Sequence, residues 1–212
     1  MVAKVPLELG DQVLIRIAKH QDVARLSEIC LLTGDSGSDA SDMYQHEEML
    51  GDIYLRPYLE FESNLAFVLV KNEEIVGYVV GALDTYAFAD LMNSRWLPRL
   101  RDKYAPLVAS FNEHEAKLWE LIREPFSADP QILQRYPSHL HIDLLPSLQG
   151  SGYGRSMMTV LLEALHGAGS TGVHLGISRA NEGASLFYKK VGFQVLSEAD
   201  TYLIYGRDIT KM

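Results

Sequence analysis

Residues 139–165 constrain the fold more than any other part of the chain. The run 139–145 alternates and is β-prone, while Met157, Met158, Val160, Leu161, Leu162 and Leu165 keep a helical period. Between them lies Gln149-Gly-Ser-Gly-Tyr-Gly154, with glycines at three alternate positions, Gly150, Gly152 and Gly154. A strand therefore ends, a glycine-rich loop turns, and a helix starts at once. Glycine lets the backbone come close to a ligand, and the helix N-terminus adds unpaired N–H groups and a positive dipole end. Such a segment holds phosphate and belongs to a chain that mixes strands with helices.

The remaining pattern supplies the frame. Residues 12–18 read as a first strand, and Asp22 as the N-cap of a helix to about residue 32. A loop by composition covers 34–41, and a helix at 43–56 is expected to stop before Pro57. Two apolar strands at 65–70 and 75–83, joined by the turn 71–74, form a hairpin whose sheet should be covered on both faces. Residues 85–137 read as a helical insertion containing both tryptophans, Trp96 and Trp119. After the glycine loop come a helix to about 168, a strand at 172–178, a short helix at 184–191, and closing strands at 193–196 and 202–206. At 212 residues the whole is one domain, 1–212, with 85–137 inserted.

Charge narrows the function. The net charge is −9, and residues 1–84 hold 15 acids against 6 bases, whereas 85–136 balance 7 against 7 and 137–212 balance 6 against 6. Between Glu28 and Glu62, nine acids face only Arg56. That repels nucleic acid and would attract a cationic substrate, while the plain alternative is a solvated acidic helix and loop. No apolar run reaches the roughly 20 residues of a membrane helix, so no membrane partner is expected. The single cysteine, Cys30, sits among Leu26, Ile29, Leu31 and Leu32 and reads as a buried structural thiol. A cytoplasmic location and no metal are expected.

Three phosphate loops compete for the glycine segment. A P-loop needs Gly-x4-Gly-Lys-Ser/Thr, but Arg155-Ser156 follows Gly154, the spacing is one short and the lysine is missing. A Rossmann loop needs Gly-x-Gly-x-x-Gly and an acid at the end of the next strand, which ends Gly176-Ile-Ser178. Both fail, and a nucleotide-dependent oxidoreductase fails with them. Gln149 to Gly154 instead resembles the Gln/Arg-x-x-Gly-x-Gly/Ala signature of the GNAT acyltransferases. A second match follows in Asn181-Glu-Gly-Ala184-Ser-Leu-Phe-Tyr188-Lys-Lys-Val-Gly192-Phe193, similar to that family's Asn-x-x-Ala-x-x-Phe/Leu-Tyr-x-x-x-Gly-Phe. The segments 139–146, 77–84, Trp96-Leu-Pro98 and Tyr205-Gly-Arg207 resemble the acetyltransferase-like domain of O-GlcNAcases and its free-standing relatives, over about residues 12–209. No glycoside hydrolase segment accompanies them, so sugar cleavage does not transfer. The animal O-GlcNAcase domain has lost the glycine loop that this chain keeps.

The resemblance implies a GNAT fold, a mixed and mostly antiparallel sheet flanked by helices, and acetyl-CoA or coenzyme A as cofactor. The pyrophosphate would rest on the backbone N–H groups of Gln149, Gly150, Ser151, Gly152, Tyr153 and Gly154, with Arg155 adding charge. The pantetheine arm would align along Ile142, Leu144 and Leu145, and the Leu144 N–H would stabilise the oxyanion. Asn181 and Ser185 would contact the arm. Tyr188 matches the tyrosine that protonates the leaving thiolate; its plain alternative is a core tyrosine beside Phe187, and that of Asn181 is a helix N-cap.

The base comes from the polar face of 139–145. His139, His141 and Asp143 share one face of their strand, opposite Leu140, Ile142 and Leu144. Asp143 is favoured as base and His141 comes second, against a merely hydrogen-bonded strand face. Relatives with a glutamate earlier on this strand have their counterpart here in Ser138. His174 could join the cluster but reads first as a satisfied core residue. The expected activity is acetyl-CoA-dependent N-acetylation of a primary amine, a polyamine-like molecule or a lysine side chain. The alternative is a non-catalytic cofactor-binding or interaction module. Trp96, Leu118 and Trp119 are a candidate homodimer contact.

Overall fold

Two strips of alternating apolar residues decide the layering. In β1 (Leu7–Gly10), β2 (Val13–Ile17), α1 (Val23–Leu32), α2 (Glu48–Tyr54), α3 (Arg56–Phe61), β3 (Ala66–Lys71) and β4 (Glu74–Ala82), the chain lays down half a sheet and the helices for one face. Along β3 and β4, Phe67, Leu69 and Val79 enter one core, while Val68, Val70, Tyr78, Val80 and Ala82 enter another. Both faces are thus covered, as two nearly continuous apolar strands require. The turn between them puts Asn72 and Glu73 at φ +51° and +68°, the double left-handed turn that matches strand twist.

The computed structural model describes residues 5–10, 12–124 and 129–212. The insertion carries α4 (Thr85–Leu91), α5 (Leu97–Tyr104), α6 (Glu113–Arg123) and α7 (Pro130–Arg135). The cofactor-type segment then follows as β5 (Ser138–Leu144), α8 (Tyr153–Gly167), β6 (Gly172–Ser178), α9 (Glu182–Lys190), β7 (Gln194–Glu198) and β8 (Tyr202–Asp208). One eight-stranded sheet runs β1-β2-β3-β4-β5-β6-β8-β7. Every neighbour pair is antiparallel except β5 with β6. No helix among the described residues is long and apolar enough to cross a membrane.

Several local expectations change. The strand β1, four residues at the sheet edge with every second side chain exposed, lacks the apolar density that marks a strand in sequence. The helix expected at 43–56 is broken: Leu55 leaves the helical region at φ −131° and ψ −60°, and Pro57 stands in the first turn of α3. A proline there lacks only an N–H that no carbonyl awaits, so it begins a helix instead of ending one. Leu118 is buried among the described residues, and the Trp96 indole donates to the Asp52 carbonyl at 2.7 Å within the subunit.

Asp22 also departs from its expected part. Its carboxylate caps nothing in α1; it accepts from Arg16 Nη1 at 2.6 Å, Arg16 Nη2 at 3.1 Å and the Lys19 N–H at 2.7 Å. Burial pushes its pKa up, but the Arg16 guanidinium and the Lys19 N–H outweigh that and hold it below the usual carboxylate value. Asp22→Asn should cost about 2 kcal/mol at pH 7, since it strands a partly buried guanidinium. Because the folded pKa is depressed, this contribution is full above about pH 4 and drains as pH falls through the folded value. Urea unfolding of both proteins at pH 7 and pH 3 should show the gap narrow at the lower pH.

The insertion hangs from a closed neck. The Thr85 N–H donates to the Pro137 carbonyl at 2.8 Å, so the segment leaves β4 and re-enters β5 at one point. It packs Phe88, Leu97, Leu100, Tyr104, Leu118 and Ile122 onto the α1–α3 side of the sheet. Asp52 pins it there, accepting from Tyr104 Oη at 2.7 Å and Lys103 Nζ at 2.8 Å as well as from Arg56 at 2.7 Å.

Candidate active site

The site begins where the sheet comes apart. Strands β5 and β6 pair only at Ser138↔Val173 and His139↔His174, then separate. β4 stays with β5 to the end, and the Leu145 N–H still donates to the Val76 carbonyl at 3.1 Å. In an antiparallel ladder the backbone groups of successive residues turn to opposite edges. Residues 145, 143 and 141 therefore face β4, and Ile142 and Leu144 turn their N–H and C=O groups into the gap. Leu145 is a correction to the expected set: its N–H is taken by β4 and its carbonyl accepts from the Leu148 N–H at 2.9 Å.

The glycine loop closes the wide end of this gap. Gly150 and Gly152 sit at φ +79° and +89°, conformations that a Cβ would strain. Gly154 serves differently, since a Cβ there would lie 3.2 Å from both Leu144 Cδ1 and Phe187 Cε2, where α8 meets α9 across the gap. The Gln149 N–H is consumed by the Pro146 carbonyl at 3.2 Å, so Gln149 falls out of the expected run of free donors. From Gly150 through Ser151, Gly152, Tyr153 and Gly154, no N–H has a partner among the described residues. The Arg155 N–H turns back to the Gly152 carbonyl at 3.1 Å, and its side chain is exposed. The Ser151 hydroxyl donates to the Leu148 carbonyl, leaving only its backbone for a ligand. The Gln149 side chain bridges two loops, donating to the Gly37 carbonyl at 3.1 Å and the Leu144 carbonyl at 3.2 Å.

On the α1–α3 side of β5 the three polar residues part ways. His139 is a structural residue: its Nδ1 lies 2.8 Å from Thr85 Oγ1 and its Nε2 2.8 Å from Tyr58 Oη. Burial, with His141 and His174 nearby, pushes its pKa well down. His141 stands edge-on to Tyr54 and Tyr58, at 5.7 Å and 5.4 Å between ring centroids, with no hydrogen-bond partner among the described residues. Burial pushes it down to about 4, so its ring is neutral at pH 7. Asp143 is half-buried and accepts from the Tyr78 hydroxyl. Burial raises its carboxyl to about 6, and the Tyr78 and Thr33 hydroxyls pull against that rise. A base that stays ionised at pH 7 with a pKa close to neutrality suits proton abstraction.

Tyr188 enters from α9 on the opposite side. It is buried against Phe187, Phe193 and Tyr205, as a core tyrosine would be. Yet its hydroxyl has no partner among the described residues, and burial together with the Asp143 carboxylate pushes its pKa up. The gap thus has an ionised carboxylate on one wall and a protonated phenol on the other. The Asn181 carboxamide does cap α9, accepting from the Ala184 N–H at 2.9 Å, and the Ser185 hydroxyl lies 2.7 Å from Tyr205 Oη.

The remaining sequence candidates are structural. Ser138 Oγ is 2.6 Å from the Leu83 carbonyl and 2.7 Å from Ser170 Oγ; His174 Nδ1 is 2.8 Å from the Tyr136 carbonyl. Cys30 is buried, with its thiol pushed up to about 12 by burial and by Asp143, so it is inert at neutral pH. Tyr54, Tyr58, Tyr78 and Thr33 were missed as site residues. The i, i+4 spacing of Tyr54 and Tyr58 was the one visible hint.

The acidic stretch is smaller in space than in sequence. Glu28, Glu48, Asp52 and Glu60 pair with Arg25, Lys103, Arg56 and Arg99, and Glu62 accepts from the Leu83 N–H. Asp35, Asp39, Asp42 and Glu47 have no cationic partner among the described residues. They lie on the loop that Gln149 ties to the gap through Gly37.

Comparison with known proteins agrees with this geometry. Residues 38–193 match the family model "Acetyltransferase (GNAT) family". The crystal structure of SsHAT superposes with a TM-score of 0.85 at 32% identity, covering 94% of this chain and 100% of that one. The PaiA N-acetyltransferase from Thermoplasma acidophilum, solved in complex with coenzyme A, gives a TM-score of 0.58 at 14% identity over 92% of this chain and 98% of its own, a likeness of fold. The protein O-GlcNAcase of Rattus norvegicus is 24% identical over 205 residues, 89% of this chain, and the match spans only 21% of that protein's length. With its model matched over most of its length and its sheet splayed beside a glycine loop, the chain belongs to the acetyltransferase (GNAT) family.

Proposed function

We propose that the protein is an acetyl-CoA-dependent N-acetyltransferase that acts on a primary amine. The observation that carries this is the splayed β5–β6 gap, which has a row of free backbone donors at its mouth and Asp143 and Tyr188 on its two walls. The five unpartnered N–H groups from Gly150 to Gly154 fit a pyrophosphate, and the open Ile142 and Leu144 edge fits an amide-bearing arm. Bound there, acetyl-CoA supplies an activated acyl group as its thioester.

The chain's own residues do the rest. The Leu144 N–H, held in place by the β4 ladder, donates to the acyl oxygen as negative charge gathers on it. Asp143 takes a proton from the ammonium, whose ordinary pKa is near 10.4, and the amine then attacks the acyl carbon. Tyr188 gives its proton to the departing sulfur. The amine comes from the α1–α3 side, past Tyr54, Tyr58 and His141, and the unpaired Asp35, Asp39, Asp42 and Glu47 favour a cationic acceptor.

The direct test is thiol release from acetyl-CoA with a panel of diamines, polyamines and lysine peptides. Absence of release with every amine, in a protein that still binds acetyl-CoA, would remove the enzymatic claim. The pH profile offers a finer check. Asp143 works only when ionised, so kcat/KM should fall as pH drops below about 6. Tyr78→Phe removes a hydrogen bond that favours the ionised form, so it should move this acid limb to higher pH.

A further inference from the structure

The turn after α1 brings a second carboxylate close to Asp143. Ser36 and Gly37 stand at φ +53° and +93°, and across them Asp35 and Ser38 exchange backbone hydrogen bonds at 3.0 Å and 2.9 Å. Two contacts fix this turn against the end of β5. The Gly37 N–H donates at 3.0 Å to the carbonyl of Thr33, whose hydroxyl lies beside the Asp143 carboxyl. A single nitrogen, Gln149 Nε2, reaches the Gly37 carbonyl at 3.1 Å and the Leu144 carbonyl at 3.2 Å. Asp35 stands two positions after Thr33, so its carboxylate lies on the order of 10 Å from that of Asp143. It is exposed and has no cationic partner among the described residues.

The wall between the two carboxylates is aromatic and open. Tyr54 stands edge-on to His141 at 5.7 Å, and its phenol is pushed up to about 12 by burial and by Tyr44 beside it. Tyr44 continues the wall toward Asp35, since burial and then the Asp35 carboxylate push its phenol up. The Tyr44 and Tyr54 hydroxyls and the His141 ring nitrogens have no hydrogen-bond partner among the described residues, yet none of these atoms is sealed from solvent. They face open space, offering ring faces and acceptors to a cation but no counter-charge. We infer that the acceptor is a short α,ω-diamine, with one nitrogen at Asp143 for acetylation and the other held as an ammonium by Asp35. This rests on Asp143 as the base of the proposed transfer. Four or five methylenes hold two nitrogens about 6–7 Å apart, and a contact of about 2.8 Å at each end spans such a pair of carboxylates. The reacting ammonium loses two protons as the C–N bond forms and the C–S bond breaks. One leaves through Asp143 to water, and the other balances the proton that Tyr188 gives to the sulfur. The distal ammonium keeps all of its protons.

The experiment is steady-state thiol release from acetyl-CoA by the intact protein with matched amines, 1,4-diaminobutane against 1-aminobutane and 1,5-diaminopentane against 1-aminopentane. At least one diamine should exceed its monoamine in kcat/KM by about fivefold, the reach of an exposed charge pair, and the excess should shrink with added salt. Asp35→Asn, an exposed change that leaves the core alone, should cost that diamine about fivefold more than its monoamine. Asp39→Asn removes the same charge from the same loop and should leave the preference in place. Equal kcat/KM within both pairs would overturn the inference, as would equal effects of the two substitutions on the preference. So would acetylation of a lysine peptide by a protein that turns over none of the four free amines. Release with no amine and no lysine peptide would instead overturn the proposed acetyl transfer itself.

Discussion

Asp143→Asn should lower kcat/KM for amine acetylation by about 10²–10⁴-fold, the range that a positioned base contributes. The substitution keeps the size of the side chain and an oxygen to accept from Tyr78, so the sheet should not move. Binding of coenzyme A, which concerns the gap-side backbone edge of β5 and the glycine loop, should stay within about twofold, and melting should shift little. Stopped assays of thiol release at pH 8, beside calorimetry, separate the two. His141 supplies the contrast. With a pKa near 4 it is a weak acceptor for an ammonium proton, so His141→Gln should cost much less. A large loss in His141→Gln beside near-normal turnover in Asp143→Asn would reverse the assignment.

Gly152→Val should abolish measurable cofactor binding, with a fall in affinity of at least about a hundredfold. At φ +89°, a β-branched residue is sterically excluded, and nothing else crowds the site. To accept the valine, the backbone must rotate, and the Gly152 and Tyr153 N–H groups turn away from the mouth of the gap. The Gly152 carbonyl, which receives the Arg155 N–H at 3.1 Å and the Ser156 N–H at 3.3 Å, would turn with them. The first turn of α8 then frays, at a cost of about 1–3 kcal/mol. Circular dichroism should still show a folded protein, because the large buried side chains of α8, from Met157 to Leu165, lie beyond this turn. Retention of tight binding would mean that the donor row is not the anion site.

How much of this was legible in the sequence depended on whether the information was local. The glycine turns and the Asn181 cap could be read because turn and cap chemistry are written in adjacent residues. The resemblance mapped Ile142, Leu144 and Leu145 together, whereas the two-residue alternation of a strand already sets Leu145 apart, and its N–H turns to Val76. Tyr78 and Thr33 were invisible as partners of Asp143, since they lie on a strand and a helix end far from it in sequence. The acidic stretch misled in extent: Glu48, Asp52 and Glu60 meet Lys103 and Arg99 from an insertion whose docking no local pattern encodes. Pro57 misled for a related reason, because one residue cannot say whether it ends a helix or opens the next.

The neck between Thr85 and Pro137 has a consequence for how such proteins diversify. Because both ends of the insertion are clamped at one spot, beside the paired Ala82 and His139, the fifty or so residues between them form an interchangeable cassette. Replacing the cassette would change what packs on the α1–α3 side of the sheet without shifting the register of β4 on β5. The backbone edge at Ile142 and Leu144 would be undisturbed. Sequence change in the cassette is thereby uncoupled from the strand edge that borders the gap, so the two parts of the chain can vary independently.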